Sequence, residues 1–305
     1  MVSVIVPCYN QARFVTDAVE SIVAQTYRDV EIIVVNDGST DQTSDVVARY
    51  QAVRVIEQDN RGLAAARNAG LHASRGDCLV FLDADDRLVP DALGSEIACL
   101  SANPDCAFVY GHVRLIDTDG SLLQTRPQSC VDADHYVTLL SRNYIWTPGA
   151  VMYRRAILDS VGGFDPLVSP AADLDLNIRI ARTRPIRCLN KVVLEYRTHG
   201  ANMSKDSTAM FRSSMTVLHA QRQHVRGNKR YERALKAGIR CVQEEYGNRL
   251  GLEVEAYIEN REWRRAALSA FPLLRYYPRG VLKYGVLRLP RIVAKAAGYR
   301  APVKH

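Results

Sequence analysis

The stretch Cys78-Leu79-Val80-Phe81-Leu82-Asp83-Ala84-Asp85-Asp86 is a run of five apolar residues followed by three carboxylates around Ala84. The apolar run predicts a buried strand, and the carboxylates follow at its carboxyl end. In an open α/β sheet, ligands bind in the crevice outside the carboxyl ends of the strands. Three carboxylates cannot stay ionised together there unless positive charge joins them. A divalent cation that carries a diphosphate supplies such charge, because Mg²⁺ and Mn²⁺ prefer oxygen ligands.

The alternative for so short a motif is an acidic turn that caps the following helix. The chain before it favours a ligand site, because three strand-and-helix units come first. We predict strands at 2–7, 30–35, 53–57 and 78–82. We predict one helix that follows Asn10 and is capped by it, and two more helices at 43–50 and 62–74. This alternation predicts an α/β fold with a doubly wound, mostly parallel sheet of Rossmann-like type. Right-handed crossovers would bring the carboxyl ends of these strands to one edge.

After residue 86 the pattern changes. We predict a helix at 90–100, a hairpin at 107–123 that turns at Asp119-Gly120, a strand that starts at 151 and runs to 158, a helix at 172–182 and a strand at 187–197. Beyond residue 204 the sequence predicts mainly helices. We therefore place a domain boundary near residue 205, with a helical, basic C-terminal extension at 206–305.

Composition indicates a globular protein, since 47% of the 305 residues are hydrophobic and 24% are charged. The seven cysteines form no C-x-x-C pair, and two of them fall in predicted core strands. We therefore expect free thiols and a reducing, cytoplasmic compartment rather than a disulfide framework. The chain enters its first strand at once and has no apolar run of about 18 residues, so we expect neither a signal peptide nor a membrane span.

The net charge of +7 is concentrated at the end of the chain. From Arg261 to His305 there are eleven Lys and Arg residues against one acid. Apolar and basic residues interleave between Phe271 and Tyr299, which is typical of a segment that lies on an anionic membrane. A helical subdomain with a solvated basic face is an equal alternative. Nucleic-acid binding is disfavoured because no recognition motif accompanies the charge.

Two further features of the first half suit a ligand, and each has a structural alternative. Asp37 ends the second strand, where it could accept a hydrogen bond from a ligand or cap the next helix. The helix at 62–74 opens with small residues beside Arg61 and Arg67, which could contact phosphate at the helix N-terminus. Its alanines could equally serve close packing of the helix on the sheet.

Four segments together resemble glycosyltransferase family 2, whose members have the GT-A fold. In chain order they are Val4-Ile5-Val6-Pro7-Cys8-Tyr9-Asn10, Val35-Asn36-Asp37-Gly38-Ser39-Thr40-Asp41, Gly62-Leu63-Ala64-Ala65-Ala66-Arg67-Asn68-Ala69-Gly70 and Phe81-Leu82-Asp83-Ala84-Asp85-Asp86. The resemblance implies a GT-A domain at 1–205, with a nucleotide-binding half at about 1–100 and an acceptor half at about 101–205. It implies a nucleotide pocket lined by Pro7, Tyr9, Asp37 and Arg67, with Asp83 near the ribose, Asp85 as ligand of Mn²⁺ or Mg²⁺ and Asp86 as a neighbouring candidate.

The same resemblance implies an inverting, metal-dependent transfer of a sugar from a nucleotide-diphosphate donor to a hydroxyl acceptor. UDP is the expected carrier by family habit. The expected acceptor is a glycan or a lipid-linked sugar in the synthesis of cell-surface polysaccharide, lipopolysaccharide or glycolipid. We expect a cytoplasmic protein, and a membrane role of the basic C-terminal segment would place it peripherally on the inner face of the plasma membrane.

The second half carries the expected base. Family members have a Glu-Asp pair after a Gly-Gly-Phe-Asp segment, which is intact here at residues 162–165. The pair itself reads Ala172-Asp173, so Asp173 matches the base while the preceding Glu is absent. The alternative for Asp173 is a carboxylate favoured by the helix macrodipole.

Two more segments of this half have open interpretations. The segment 196–204 resembles the family's closing segment, which makes His199 a candidate ligand of metal or diphosphate and Arg197 a lesser candidate for phosphate. A structural role for His199 is the alternative. For Trp146 a core role is favoured, and stacking on an acceptor sugar is the alternative.

Two other functions remain open from sequence. A sugar nucleotidyltransferase also uses carboxylates at strand ends, but it usually has a Gly-rich loop with basic residues after its first strand. This chain has Cys8-Tyr9-Asn10-Gln11 there. A non-catalytic module that binds nucleotide or glycan stays possible because of the altered Ala172-Asp173 pair.

Overall fold

The computed structural model describes residues 1–123, 130–131, 134–200, 202–278 and 280. Contacts divide the chain into two compact units, Met1–Met203 and Ser204–His305. The first unit contains the sheet and the second is helical. Each unit is described by itself.

Within the described residues, eight strands of the first unit form one sheet. In chain order they are β1 (Val2–Cys8), β2 (Val30–Asp37), β3 (Val53–Gln58), β4 (Cys78–Phe81), β5 (Arg87–Leu88), β6 (Phe108–Ile116), β7 (Val151–Arg154) and β8 (Arg187–Arg197). Their order across the sheet is β3-β2-β1-β4-β7-β6-β8-β5. Strands β7 and β5 run against the other six, so the sheet is mostly parallel as predicted.

Seven helices belong to the described part of the first unit. They are α1 (Val15–Val23), α2 (Thr43–Val47), α3 (Leu63–Ala73), α4 (Ala92–Ala102), α5 (His135–Ser141), α6 (Arg155–Val161) and α7 (Ala172–Ala181). The second unit contains α8 (Ser207–Ala220), α9 (Arg222–Val225), α10 (Lys229–Val242), α11 (Asn248–Glu259) and α12 (Trp263–Tyr276), with a π-helical turn at Gln243–Gly247.

Helices cover both faces of the sheet because successive side chains of a strand point to opposite faces. Val4 and Val6 of β1 belong to the buried cluster that contains the apolar stripe of α1 and residues of α4. Ile5 points to the other face and meets α3. A Cβ on Gly70 of α3 would lie 2.3 Å from Cγ2 of Ile5, so only glycine lets this helix approach so closely. The doubly wound arrangement is therefore confirmed.

Two strand predictions in the second half are wrong. The chain turns at Asp119-Gly120 as predicted, where the Gly120 amide donates to the Asp117 carbonyl at 3.2 Å. Residues 107–123 nevertheless do not form two paired strands, because β6 lies between β7 and β8 and only an isolated bridge joins Ile116 to Leu122. The strand that starts at 151 ends at Arg154 and α6 follows it, stopped by Gly162 with φ of +76°. In both cases pairing with distant strands decides the structure, which local patterning does not reveal.

Asn10 does not cap α1 as predicted. Its backbone has φ of +54°, and its side-chain Oδ1 accepts a hydrogen bond from the Thr40 amide at 2.8 Å. The side chain thus ties the loop after β1 to the loop after β2. This contact links two loops of the same sheet edge.

The expectation of free thiols is wrong for two of the seven cysteines. Cys130 and Cys188 form a disulfide across 58 residues of sequence, with their Cα atoms 5.4 Å apart. Among the described residues, five cysteines form no disulfide: Cys8, Cys78, Cys99, Cys106 and Cys241. The pairing depends on the start of β8 lying beside residue 130, and sequence spacing gives no sign of it.

The basic stretch predicted at 271–299 lies mainly outside the described residues, since 279 and 281–305 are not described. Its first residues belong to α12, whose side chains Trp263, Leu268, Phe271 and Leu274 are exposed. Among the described helices, none combines the length and the apolar character that crossing a bilayer requires.

Glu96 provides a test of the core that is independent of any ligand. It is fully buried in α4, and neither carboxyl oxygen has a hydrogen-bond partner among the described residues. Burial raises its pKa well above the usual value, so the folded state holds the proton while the unfolded state releases it near pH 4.5. Stability is therefore lost as pH rises above about 4.5, by about 1.4 kcal/mol per unit, until the folded pKa is reached.

Glu96→Gln is expected to raise the free energy of unfolding, because the neutral amide removes this loss. The gain over wild type should grow from pH 5 to pH 8 in urea denaturation measured at each pH. Glu20→Gln, at an exposed position, is the matched control and should show no such growth. A gain that stays constant with pH would show that the Glu96 carboxyl does not titrate with folding.

Candidate active site

The carboxyl ends of β1, β2, β4 and β8 lie at one edge of the sheet, which we call the acidic rim. Tyr9 follows β1, Asp37 ends β2, Asp83 and Asp85 follow β4, and His199 follows β8. The parallel direction of these strands brings the residues to the same edge, as expected for a crevice that binds ligands.

Asp37 is buried, and both of its carboxylate oxygens already accept hydrogen bonds. Oδ1 accepts from Nε2 of Gln58 at 2.6 Å and from the Arg61 amide at 2.9 Å, while Oδ2 accepts from the Gly62 amide at 2.8 Å. Asp37 therefore holds the entry of α3 rather than capping the helix that follows its own strand. Contact of this carboxylate with a nucleotide stays a prediction.

Asp83 is paired within the protein. Its Oδ1 lies 2.6 Å from Nη2 of Arg67, whose guanidinium is buried and stands over the ring of Phe164 with 5.4 Å to the ring centroid. The Nε of Arg67 has no hydrogen-bond partner among the described residues. Arg67 thus neutralises one carboxylate of the rim from a fixed position and keeps one donor unused.

The Gly-Gly-Phe-Asp segment is held to α3 through Asn68. The Asn68 side chain accepts from the Phe164 amide at 2.9 Å and donates to its carbonyl at 2.8 Å. Gly163 has φ of +68°, and a Cβ there would lie 2.6 Å from Oδ1 of Asn68. Glycine is required at this position by both the conformation and the contact. The clamp fixes where α7 starts relative to Arg67.

Asp85 faces His199. The Nε2 of His199 lies 2.8 Å from Oδ2 of Asp85, and the imidazole stacks on Phe14 with 5.1 Å between ring centroids. The backbone amide of His199 donates to Oδ1 of Asn202 at 2.6 Å. Burial raises the pKa of Asp85, and the negative charge of Asp83 raises it further.

Arg197 does not reach the open rim, so its proposed contact with phosphate is not supported by its position. Its side chain is 1% exposed. Its Nε donates to the Asp85 carbonyl at 2.8 Å and its Nη2 lies 2.5 Å from Oδ2 of Asp17. Its backbone amide donates to Oδ1 of Asp86 at 2.9 Å. Arg197 is therefore a positioning residue beneath the carboxylates.

The three carboxylates of the opening motif have different partners. Asp83 is paired with Arg67. Asp86 is buried against Arg197, and burial raises its pKa well above the usual value. The carboxylate of Asp85 is paired with the imidazole of His199 and has no ion pair with Lys or Arg among the described residues. Positive charge from outside the chain would thus act most strongly at Asp85.

Asp173 lies in the first turn of α7, partly buried. Burial raises its pKa to about 6, while the positive charge of Arg67 opposes this rise and the charge of Asp83 adds to it. Asp175, two residues on, is paired with Arg179 at 2.7 Å. Of these two acids, Asp173 is the one with the electrostatics of a base that works near neutral pH.

The remaining candidates differ in exposure. Pro7 is buried in β1, whereas Tyr9 is 48% exposed and presents its ring at the rim. Arg61 is exposed. Trp146 is 41% exposed, so its interpretation as a core residue is wrong. The neighbours Thr147, Pro148 and Gly149 are buried, and the side chain of Thr147 accepts a hydrogen bond from the Gly149 amide.

Sequence reasoning missed three residues that support the site. Asp17 of α1 anchors Arg197, Phe14 lies between Arg197 and His199, and Asn68 clamps the Gly-Gly-Phe-Asp segment. In the sequence, Phe14 is one of several apolar residues at helical spacing after Asn10, and this pattern does not distinguish it from a core residue. Asn68 lies within a quoted motif, but nothing in one sequence indicates that its partner is 96 residues away.

Solved structures with a similar fold include complexes with a nucleotide sugar. TarS of S. aureus in complex with UDP-GlcNAc has a TM-score of 0.67 and 19% identity, and the match covers 92% of this chain and 82% of that chain. The mannosyltransferase PcManGT of Pyrobaculum calidifontis in complex with GDP-Man and Mn²⁺ has a TM-score of 0.59 and 22% identity, covering 98% and 81%. The mostly parallel sheet with its acidic rim therefore defines a protein of the GT-A class.

Residues 3–162 match the model described as Glycosyl transferase family 2, and the chain belongs to that family. An uncharacterized glycosyltransferase of Nostoc sp. is 34% identical over 212 residues, covering 66% of both chains. The chondroitin synthase of Escherichia coli is 29% identical over 208 residues, covering 67% of this chain and 30% of its own length. The chain thus spans less than two thirds of the length of these relatives.

Proposed function

We propose that the protein is an inverting, metal-dependent glycosyltransferase that moves a sugar from a nucleotide-diphosphate donor to a hydroxyl acceptor. One observation carries the proposal. At one edge of a GT-A sheet lie two pairs, Asp85 with His199 and Asp83 with Arg67. The carboxyl of Asp173, whose pKa is raised, interacts electrostatically with the second pair. UDP is the preferred carrier, because TarS, similar in fold, has been solved with UDP-GlcNAc.

A divalent ion fits the Asp85–His199 pair. The oxygen and nitrogen atoms lie 2.8 Å apart, close to the spacing of about 3 Å between neighbouring ligands of an octahedral ion with bonds of about 2.1 Å. A carboxylate and a neutral imidazole suit Mn²⁺, and Mg²⁺ accepts the carboxylate. A bound ion would supply charge that stabilises the departing diphosphate. Donor phosphates and water would complete its shell.

The chain's own residues account for the other requirements of the reaction. Asp173 accepts the proton of the acceptor hydroxyl, whose oxygen attacks the anomeric carbon from the face opposite the leaving group. The bond from that carbon to the diphosphate oxygen breaks, and the nucleoside diphosphate leaves. Arg67 holds Asp83 in place at the donor side, and its charge keeps part of Asp173 ionised near neutral pH.

A thermal-shift screen of nucleotide sugars, with and without Mn²⁺, tests donor binding directly. A donor at 100 times its dissociation constant should stabilise the protein by about 2.7 kcal/mol. The released product then separates the enzyme classes. A nucleoside diphosphate supports the proposal, whereas inorganic diphosphate would identify a nucleotidyltransferase. Donor binding with no turnover under any acceptor would indicate a binding module.

Removing the charge of Arg67 is expected to shift the pH profile. Asp173 must be ionised to act as base, so kcat should fall as pH drops through its pKa of about 6. Arg67→Met removes a charge that lowers this pKa, and the acidic limb of kcat should move to higher pH. Arg61→Met, at an exposed neighbour, is the control and should leave the limb in place. If the acidic limb moved in neither variant, the charge of Arg67 would not influence the pKa of the base.

We further propose a glycan or lipid-linked acceptor and peripheral contact with an anionic membrane. The exposed apolar residues of α12, with Arg264, Arg265 and Arg275 on the same helix, support the membrane contact. Basic residues beyond position 280 would add electrostatic attraction.

Replacing two exposed apolar residues of α12 by acids is expected to weaken membrane contact. The double variant Phe271→Glu with Leu274→Glu should bind phosphatidylglycerol vesicles at least about tenfold more weakly, because both apolar side chains that would be buried in the membrane are lost. The affinity is obtained from the fraction of protein that sediments with the vesicles. Leu252→Glu, at an exposed position of α11, is the matched control. Equal sedimentation of all three proteins would remove α12 from the contact.

A further inference from the structure

A second cluster of possible ligands lies at the start of β8, at the other end of that strand from His199. His112, Cys130 and Cys188 are each partly buried, and their ligand atoms lie within 4.8 Å of one another. In the structure the two sulfurs form the disulfide described above. The cluster shares no residue with the acidic rim.

His112 is oriented for a further contact. The register between β6 and β8 shifts near this residue, so that two residues of β6 face four of β8. In this irregular part of β8, Asn190 places its Oδ1 2.9 Å from Nε2 of His112. The tautomer that donates from Nε2 to Asn190 keeps a lone pair on Nδ1. Histidines that bind metal usually have such an oxygen partner on the other ring nitrogen.

We propose that His112, Cys130 and Cys188 form a thiol-dependent Zn²⁺ site that exchanges with the disulfide. Two thiolates and one imidazole are a preferred donor set for Zn²⁺, with water in the fourth position. The two sulfurs of a tetrahedral site lie about 3.8 Å apart, given Zn–S bonds of about 2.3 Å. The Cα atoms are 5.4 Å apart, so both cysteine side chains can reach one metal ion.

The exchange needs a reductant, which we take to be a dithiol. Two electrons from the dithiol break the bond between the two cysteines, giving two protein thiols and the oxidised dithiol. Zn²⁺ then binds both sulfurs as thiolates, and two protons are released. Cys130 stays connected to β8 in both states. The amide of its neighbour Val131, which donates to Oη of Tyr110 at 3.2 Å, would keep its place.

The amount of zinc bound per chain tests the proposal without any assay of activity. The full chain is reduced with dithiothreitol without oxygen, loaded with Zn²⁺, desalted and analysed by atomic emission. One retained zinc per chain is expected for the reduced protein. None is expected at this site for the oxidised protein or for Cys188→Ser. Cys99→Ser, at a partly buried free cysteine, is the control and should bind as wild type does.

Cobalt distinguishes this cluster from the carboxylate and imidazole of the acidic rim. Co²⁺ bound by thiolates gives a sulfur-to-metal charge-transfer band, which the rim cannot give. The band is expected for reduced wild type, lost in Cys188→Ser and weakened in His112→Gln, which retains both thiols. Reduced wild type without zinc or without this band would overturn the proposal, as would full zinc binding by His112→Gln.

Discussion

Asp173→Asn is expected to reduce kcat by about 10²- to 10⁴-fold, the range that general-base catalysis supplies. Asparagine has nearly the same shape as aspartate but cannot accept the proton of the acceptor hydroxyl. Donor affinity should stay within about threefold of wild type, because the substitution leaves the Arg67–Asp83 pair in place. Steady-state transfer and donor titration by calorimetry measure the two effects separately.

Asp175→Asn is the matched control in the same helix. Asp175 is paired with Arg179, which also donates to the carbonyls of Val161 and Gly163. Loss of the Asp175–Arg179 ion pair should lower the free energy of unfolding, while kcat is retained. Full turnover by Asp173→Asn would rule this carboxylate out as base, and a loss of kcat only in Asp175→Asn would move the role to Asp175.

Asp85→Asn is expected to change stability and metal binding in opposite directions. The pKa of Asp85 is raised by burial and by Asp83, so its ionised form destabilises the folded protein at neutral pH. The neutral amide removes this cost, and the melting temperature without metal should rise. Affinity for Mn²⁺ should fall by about 100-fold or more, beyond the 10- to 100-fold typical of groups that only orient a ligand.

Melting curves with and without Mn²⁺ show both effects in one experiment. We expect Mn²⁺ to stabilise the wild type, and this stabilisation should disappear in Asp85→Asn and in His199→Ala. Asp105→Asn, at an exposed position, should behave as wild type in both respects. An unchanged response of Asp85→Asn to Mn²⁺ and to donor would place the metal elsewhere or exclude it.

Local patterning was sufficient for the first half of the sheet. The strands β1 to β4 follow from short β-branched and apolar runs, and the helices between them from their spacing. Strand β8 was also predicted from its residues. The single strand β6 and the short β7 were not, because each is paired with strands far away in the sequence. Non-local partners set the limits of such strands.

The roles of the three neighbouring acids show the same division. The sequence places Asp83, Asp85 and Asp86 together at a strand end and indicates that positive charge must join them. It does not say that Arg67 already serves Asp83, or that Arg197 lies beneath Asp86. Only this distribution of partners distinguishes Asp85 from its neighbours. The sequence likewise offered Arg197 as a lesser candidate for phosphate and gave no sign that its side chain is buried.

The amino-acid sequence by itself determined the class of fold, the edge of the sheet at which acids gather and the residue types available there. These follow from the periodicity of short segments and from the alternation of strands with helices, both of which are visible along the chain. The tertiary structure alone decided which charges are neutralised within the chain, that Trp146 is exposed and which two cysteines form the disulfide. Those outcomes depend on distances between residues 16 to 111 positions apart, and burial sets their energies.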